Sequence, residues 1–88
     1  MKNQGEVQDG LFRTANLPLA AYLSFSVDPL RKEWEKSTCF WLFNNDEELE
    51  KLVTGFTGGK AMVDARAYSY RITQMRKDVL EEKRAKAY

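Results

Sequence analysis

The chain has 88 residues, of which 43% are hydrophobic and 31% are charged, and its formal net charge is +1. This length predicts one domain with a modest core, and the composition is typical of globular chains and not of disordered ones. The only cysteine is Cys39 and histidine is absent. These two facts exclude an internal disulfide, zinc sites built from several Cys or His, and histidine-activated nucleophiles. We therefore expect a non-enzymatic protein with no cofactor and no metal, and only a carboxylate-only magnesium site stays formally open.

The N-terminal segment, residues 1–10, is polar, includes two glycines and lacks the apolar stretch of a signal peptide. We predict a flexible arm there, a single domain over residues 11–80, and a charged helix end or tail over residues 81–88. The longest nearly apolar stretch, residues 17–27, is about half as long as a membrane-spanning helix. We therefore expect no membrane partner and a cytoplasmic location.

A first helix is predicted to follow Thr14 or Asn16, because either residue can cap it and Pro18 then falls in the first turn. Its apolar residues lie on nearly every face, which is typical of a mostly buried helix. We expect the helix to end at Asp28-Pro29, since the residue before a proline disfavours helical backbone.

Two strands are predicted next. Residues 30–35 alternate with a period of two, which favours a half-exposed strand. Residues 38–43 form a stronger strand that includes Cys39 as an inert core residue; both of its faces are apolar, so we expect both to be covered. Residues 35–37 form the turn between the strands, and residues 11–13 are the candidate for a short third strand.

A second helix is predicted to begin at Asn45, which can act as the N-cap, with acidic residues 46–48 in the first turn. These carboxylates complement the helix dipole and need no metal to explain them. Apolar residues follow at helical spacing as far as Phe56, and Gly58-Gly59 ends the helix. Because Gly58-Gly59-Lys60 lacks the spaced first glycine and the Ser or Thr of a phosphate loop, we give it no such role.

The last predicted helix is the longest. Asp64 can cap it, and an apolar stripe over residues 68–79 should face the core. The opposite face carries basic residues from Arg66 to Lys77. The fold class that follows is α+β. It consists of a two-stranded antiparallel hairpin, with residues 11–13 as the candidate for a short third strand, packed by three helices. The last helix is long and amphipathic.

Three blocks of the chain together resemble a known family. They are the Leu-Ala-Ala helix within residues 14–23, the aromatic strand and Asp-Glu-Glu-Leu helix start within residues 40–53, and the Val-Asp-Ala-Arg of residues 63–66 with Tyr68. These blocks resemble a small prokaryotic and phage family that is catalogued only as a domain of unknown function. The resemblance covers roughly residues 12–76, and Ala65 stands where that family has proline. It implies a shared fold and a phage or mobile-element setting, hence a host cytoplasm, and it assigns no activity.

Charge is distributed unevenly along the chain. Residues 44–56 carry four acidic side chains and one basic one, a net charge of −3, whereas residues 63–88 carry seven basic and four acidic ones, a net charge of +3. Basic side chains interleaved with tyrosine on a helix are typical of phosphate contact with base stacking. A solvated helix face with i, i+4 charge pairs is the plainer interpretation.

The leading hypothesis is a non-catalytic binding module, associated with a phage or mobile element, that acts on nucleic acid or on a nucleic-acid-processing complex. The alternative is a protein-interaction protein, such as an inhibitor or decoy of a host or defence machine, or a homo-oligomeric structural accessory protein. Homodimerisation is a hypothesis drawn from a surplus of aromatic residues over what a small core needs. The candidate binding residues are Arg66, Tyr70, Arg71, Arg76, Lys77 and, as an exposed interface anchor, Trp34.

Overall fold

Four antiparallel strands and three helices make up the part of the chain that the computed structural model describes, residues 5–85. In chain order the elements are β1 (Glu6–Gln8), β2 (Leu11–Thr14), α1 (Leu17–Leu23), β3 (Arg31–Glu35), β4 (Thr38–Asn44), α2 (Glu47–Thr57) and α3 (Ala65–Ala85). The α+β class and the three helices are thus confirmed. Residues 1–4 of the predicted arm and residues 86–88 of the predicted tail lie outside the described residues.

The sheet contains two hairpins joined side by side, in the strand order β1-β2-β4-β3. The central pair joins β2 to β4 in a register that runs from Leu11 opposite Asn44 to Thr14 opposite Trp41. The predicted third strand is therefore real and lies at the centre of the sheet. The predicted hairpin of β3 and β4 is also confirmed, although its turn residue Lys36 has a φ of 58°, a left-handed conformation that lysine rarely adopts.

Strand β1 was not predicted, because residues 6–8 fall within the polar segment that we expected to be an arm. The two-residue turn that follows, Asp9-Gly10, has φ values of 55° and 75°. Positive φ at both central residues is the geometry of a type I′ hairpin, for which Asp-Gly is a preferred sequence. This dipeptide was therefore a readable hairpin signal.

The core lies between the helices and one face of the sheet. Phe12, Cys39, Trp41 and Phe43 point from the strands toward buried leucines of the helices. The helix residues of this core are Leu19, Ala20 and Leu23 of α1 and Leu49 of α2. Apolar side chains from two layers thus exclude water from one continuous cluster.

The opposite face of the sheet differs from our expectation that both faces would be covered. Leu42 points to this face and is only 4% exposed, but it lies between Arg13 and Arg31 on the neighbouring strands. The aliphatic stems of long charged side chains can shield an apolar residue while their charged ends stay in water. Within residues 5–85, side chains of the strands and their turn, and not a helix, line this face.

Helix α1 is shorter than predicted. Asn16 is its N-cap, accepting a hydrogen bond from the Leu19 amide at 3.1 Å, while the Thr14 hydroxyl accepts from the Asn16 amide. The helix ends at Leu23 and not at Asp28-Pro29. The Ser24 hydroxyl donates to the Ala21 carbonyl at 2.7 Å, and such side-chain bonds compete with continuation of the helix.

Helix α2 is confirmed, but its cap is Asp46 and not Asn45. The Asp46 carboxylate accepts a hydrogen bond from the Leu49 amide at 2.9 Å. The Asn45 amide donates to the Gly10 carbonyl at 3.0 Å, so the β1–β2 turn holds residue 45 in line with the sheet. The helix therefore begins one residue later than the sequence suggested.

Helix α3 begins as predicted, since the Asp64 carboxylate accepts from the Ala67 amide at 2.9 Å. Its 21 residues span about 32 Å. The prediction that its apolar stripe belongs to the core is only half right: Met75 and Val79 pack against the core, yet no residue of α3 is fully buried. Residues 81–85 of the predicted charged end are helical.

Candidate binding surfaces on the last helix

Within residues 5–85, polar contacts fix α3 onto the rest of the protein at two anchor points. At its N-terminal end, the Tyr68 hydroxyl donates to the Pro18 carbonyl at 2.9 Å, and the Arg71 guanidinium donates to the Ser24 hydroxyl. The same guanidinium lies 4.6 Å from the centre of the Phe25 ring, within the range of a cation–π contact. Partial burial raises the pKa of Tyr68, because the neutral phenol is favoured away from water.

The second anchor point joins the C-terminal half of α3 to the edge strand β3. The Glu82 carboxylate accepts a hydrogen bond from the Trp34 indole at 2.9 Å and pairs with the Lys32 ammonium. Trp34 also packs against the core, so it is half-buried and its polar atom faces α3. The two anchors together determine which face of α3 meets solvent.

The exposed face of α3 carries a line of basic side chains with one tyrosine. We call this the outer stripe: Arg66, Tyr70, Lys77 and Arg84. Spacings of four, seven and seven residues place these side chains along one face of a helix, opposite the docked stripe. All four are exposed, with Tyr70 at 65%, and none of the three cations belongs to an ion pair within residues 5–85.

The candidate residues named from sequence do not form one surface. Arg66, Tyr70 and Lys77 share the outer stripe. Arg71 lies on one flank of the helix, turned toward α1, and Arg76 lies on the other flank. Trp34 lies on β3, and its indole faces Glu82 of α3.

A groove runs along each flank of α3. The groove on the Arg76 side, which we call the flank groove, has a volume of about 260 Å³. It is lined by Ala15, Leu17, residues 37–39, Trp41, Arg76, Val79 and Leu80. The groove on the Arg71 side is about 330 Å³ and has charges of both signs, from Asp28 and Asp78 as well as from Arg31, Lys32 and Arg71. Neither groove is predicted by the sequence. The signal for the flank groove is Leu80, an apolar residue that lies outside the apolar stripe of residues 68–79.

The open face of the sheet carries a charge network centred on Arg13. Its guanidinium lies 2.7 Å from Glu35, 3.3 Å from Glu6 and 3.7 Å from Glu33, and it stacks 3.5 Å from the centre of the Phe40 ring. The hydrogen bond to Glu35 raises the pKa of Arg13. Because the partners come from both edge strands, this network ties β1 and β3 across the centre of the sheet.

Two further features bear on chemistry. Cys39 is buried, and burial raises the pKa of its thiol, so the group stays protonated at neutral pH. Across residues 5–85 there is no group of three or more His, Cys, Asp or Glu side chains arranged to hold a metal ion. In the same part of the chain no helix has the length and apolarity needed to cross a membrane.

The comparisons with known proteins add no relative. No protein-family model matches the chain, and no match to it was found among curated proteins or solved structures. The resemblance to the phage family therefore stays a prediction.

Proposed function

We propose that this protein is a non-catalytic binding module that contacts the phosphate backbone of nucleic acid through the outer stripe of α3. The observation that carries the proposal is that three exposed cations without ion-pair partners within residues 5–85 share one face of a helix that is hydrogen-bonded to the rest of the protein near both ends. Cations that are paired within the protein would have to break those pairs to bind phosphates. The cations of the outer stripe have no ion pairs to break within residues 5–85.

The dimensions of the stripe suit a nucleic-acid backbone. Arg66 and Lys77 are separated by about 16 Å along the helix, and Arg84 lies about 11 Å farther on. At a rise of roughly 3.4 Å per nucleotide on one strand, these positions span several successive phosphates. Tyr70 lies among them with an exposed ring, which can stack on an unpaired base. Glu81 is exposed on the same face, so the basic character is strongest between Arg66 and Lys77.

Salt dependence tests the proposal directly. If the three cations each neutralise one phosphate, the logarithm of the binding constant should fall with the logarithm of salt with a slope of about −2.7 for duplex DNA and about −2.1 for single strands. Raising salt from about 50 to about 200 mM would then weaken duplex binding about 40-fold and single-strand binding about 20-fold. Fluorescence anisotropy with labelled 20-nucleotide probes measures both.

A matched pair of variants separates the stripe from net charge. The double variant R66Q/K77Q removes two stripe cations, and K51Q/K60Q removes two exposed cations from α2 and the following loop. We expect the first variant to reduce the salt slope by about 1.8 for duplex DNA and the second to leave it nearly unchanged. Absent binding at the lower salt, or equal losses in the two variants, would refute the proposal.

The setting belongs to the same proposal. A phage or mobile-element origin and action in the host cytoplasm rest on the resemblance of residues 12–76 to the phage family. Homodimerisation is also a hypothesis, and sedimentation equilibrium over a wide concentration range tests it. The alternative of a protein-interaction surface built on an exposed Trp34 loses its motivation, because that indole is half-buried and bonded to Glu82.

A further inference from the structure

The flank groove is a second surface, and none of its lining residues belongs to the outer stripe. Trp41 and Cys39 form its floor and are only 5% and 6% exposed, while Leu17 and Val79 form partly buried walls. Leu80 lies at the rim of the groove, and 55% of its surface is exposed. The groove is thus an apolar recess that continues from the core to the surface.

Among residues 5–85, Arg76 is the only charged residue that lines this recess. Its side chain is exposed and forms no ion pair among residues 5–85. A guanidinium beside an apolar recess is complementary to a carboxylate attached to an apolar group, because it can donate two parallel hydrogen bonds to that carboxylate. Ser37 and Thr38 add hydroxyl groups at the far rim.

The volume of the flank groove limits the kind of ligand that can bind in it. At about 260 Å³ the groove is smaller than the roughly 300–1,000 Å³ of typical small-molecule pockets. It is also apolar where a nucleic-acid backbone would need several cations. One or two side chains of a bound peptide fit both its volume and its lining.

We propose that the flank groove docks an acidic peptide segment of a partner protein. One large apolar side chain of the segment packs between Leu17 and Leu80 above Trp41, and a neighbouring Asp or Glu of the segment pairs with Arg76. The site is separate from the outer stripe. The protein therefore holds nucleic acid on the outer stripe and a protein partner in the flank groove.

Peptide selection on the intact chain tests the docking site. Random dodecapeptides displayed on phage are selected on the immobilised 88-residue protein, and enriched sequences are synthesised with a fluorescent label. We expect the enriched peptides to place Asp or Glu beside Leu, Ile, Phe or Trp. Dissociation constants are then measured for the wild type and four variants, each checked for native far-ultraviolet circular dichroism.

Two variants alter the groove and two are matched controls. Leu80→Ser and Arg76→Glu should each weaken peptide binding about tenfold, as expected for loss of an apolar anchor or of a charge-assisted pair. Leu30→Ser changes a leucine of nearly equal exposure, 56%, outside the groove, and Lys51→Glu reverses an exposed charge on α2; neither should change binding. The proposal is overturned by failure to enrich peptides over the blank support, by enriched peptides without acidic residues, or by equal affinity for Arg76→Glu and wild type. It is equally overturned if an oligonucleotide binds in the groove and loses affinity with Leu80→Ser.

Discussion

Replacement of Glu82 by alanine should loosen α3 and measurably destabilise the protein. In the native structure this carboxylate accepts from the Trp34 indole at 2.9 Å and pairs with Lys32, so it holds the C-terminal half of α3 onto the edge strand. The preceding residue, Glu81, has the same chemistry but is exposed and belongs to no ion pair within residues 5–85. The two neighbours therefore form a matched pair, alike in sequence and different in contacts.

The expected size of the effect comes from the two contacts that Glu82 makes with β3. A hydrogen bond from a half-buried indole to an ionised acceptor contributes about 1.5 kcal/mol. The ion pair is partly exposed, with 32% and 37% of the two side chains accessible, so it adds about 0.5 kcal/mol. We expect Glu82→Ala to lower the free energy of unfolding by about 2 kcal/mol. Glu82→Gln, which keeps a neutral acceptor for the indole, should lower it by about 1 kcal/mol.

Urea unfolding monitored by tryptophan fluorescence measures these differences, and a thermal scan should show a fall in Tm of about 10 °C for Glu82→Ala. The indole N–H resonance of Trp34 in a proton–nitrogen correlation spectrum should shift in Glu82→Ala and stay in place in Glu81→Ala. Glu81→Ala should change the free energy of unfolding by less than about 0.5 kcal/mol. Equal stabilities for the two alanine variants would refute the described docking of α3.

Three further predictions concern the fold. Asp46→Ala should lower the free energy of unfolding by about 1 kcal/mol, since Asp46 is the N-cap of α2, and Asn45→Ala should cost less than half as much; the reverse order in urea unfolding would contradict the observed cap. Lys36→Gly should raise the free energy of unfolding by about 1 kcal/mol because it removes a left-handed non-glycine residue from the β3–β4 turn, and a loss of stability would argue against that turn. Burial raises the pKa of Cys39, so its contribution to stability is full below the pKa of an unfolded cysteine, about 8.5, and is lost as pH rises through the higher folded-state pKa. Cys39→Ala should therefore show a shallower alkaline fall in stability than the wild type between about pH 8 and pH 10, and identical pH slopes would contradict the burial of the thiol.

Much of the secondary structure was readable because it depends on short-range patterns. The apolar spacing of α2 and the Asp64 cap of α3 involve residues within one or two helical turns, and the alternation in β3 involves neighbours along one strand. Such local preferences hold wherever the segment lies in the fold. The Asp9-Gly10 turn belongs to the same class of signals, because an Asp-Gly dipeptide favours a two-residue hairpin turn even between polar residues.

Other boundaries depended on contacts between distant parts of the chain. Asn45 has the side chain of a good cap, but its amide bonds to Gly10, and this moves the cap to Asp46. Similarly, Ser24, the residue that follows α1, accepts a hydrogen bond from Arg71 of α3. A local pattern cannot reveal either partner.

The candidate binding surfaces likewise depend partly on local spacing and partly on contacts between distant parts of the chain. By itself, the sequence determined that α3 is a long helix on which Arg66, Tyr70 and Lys77 share one face, because helical spacing fixes those relative positions. Only the tertiary structure decided that Arg71 turns toward α1 while Arg76 borders an apolar groove. The reason is physical: the spacing of residues fixes angles around a helix, but which of those angles meets solvent depends on where α1 and β3 hold the helix against the sheet.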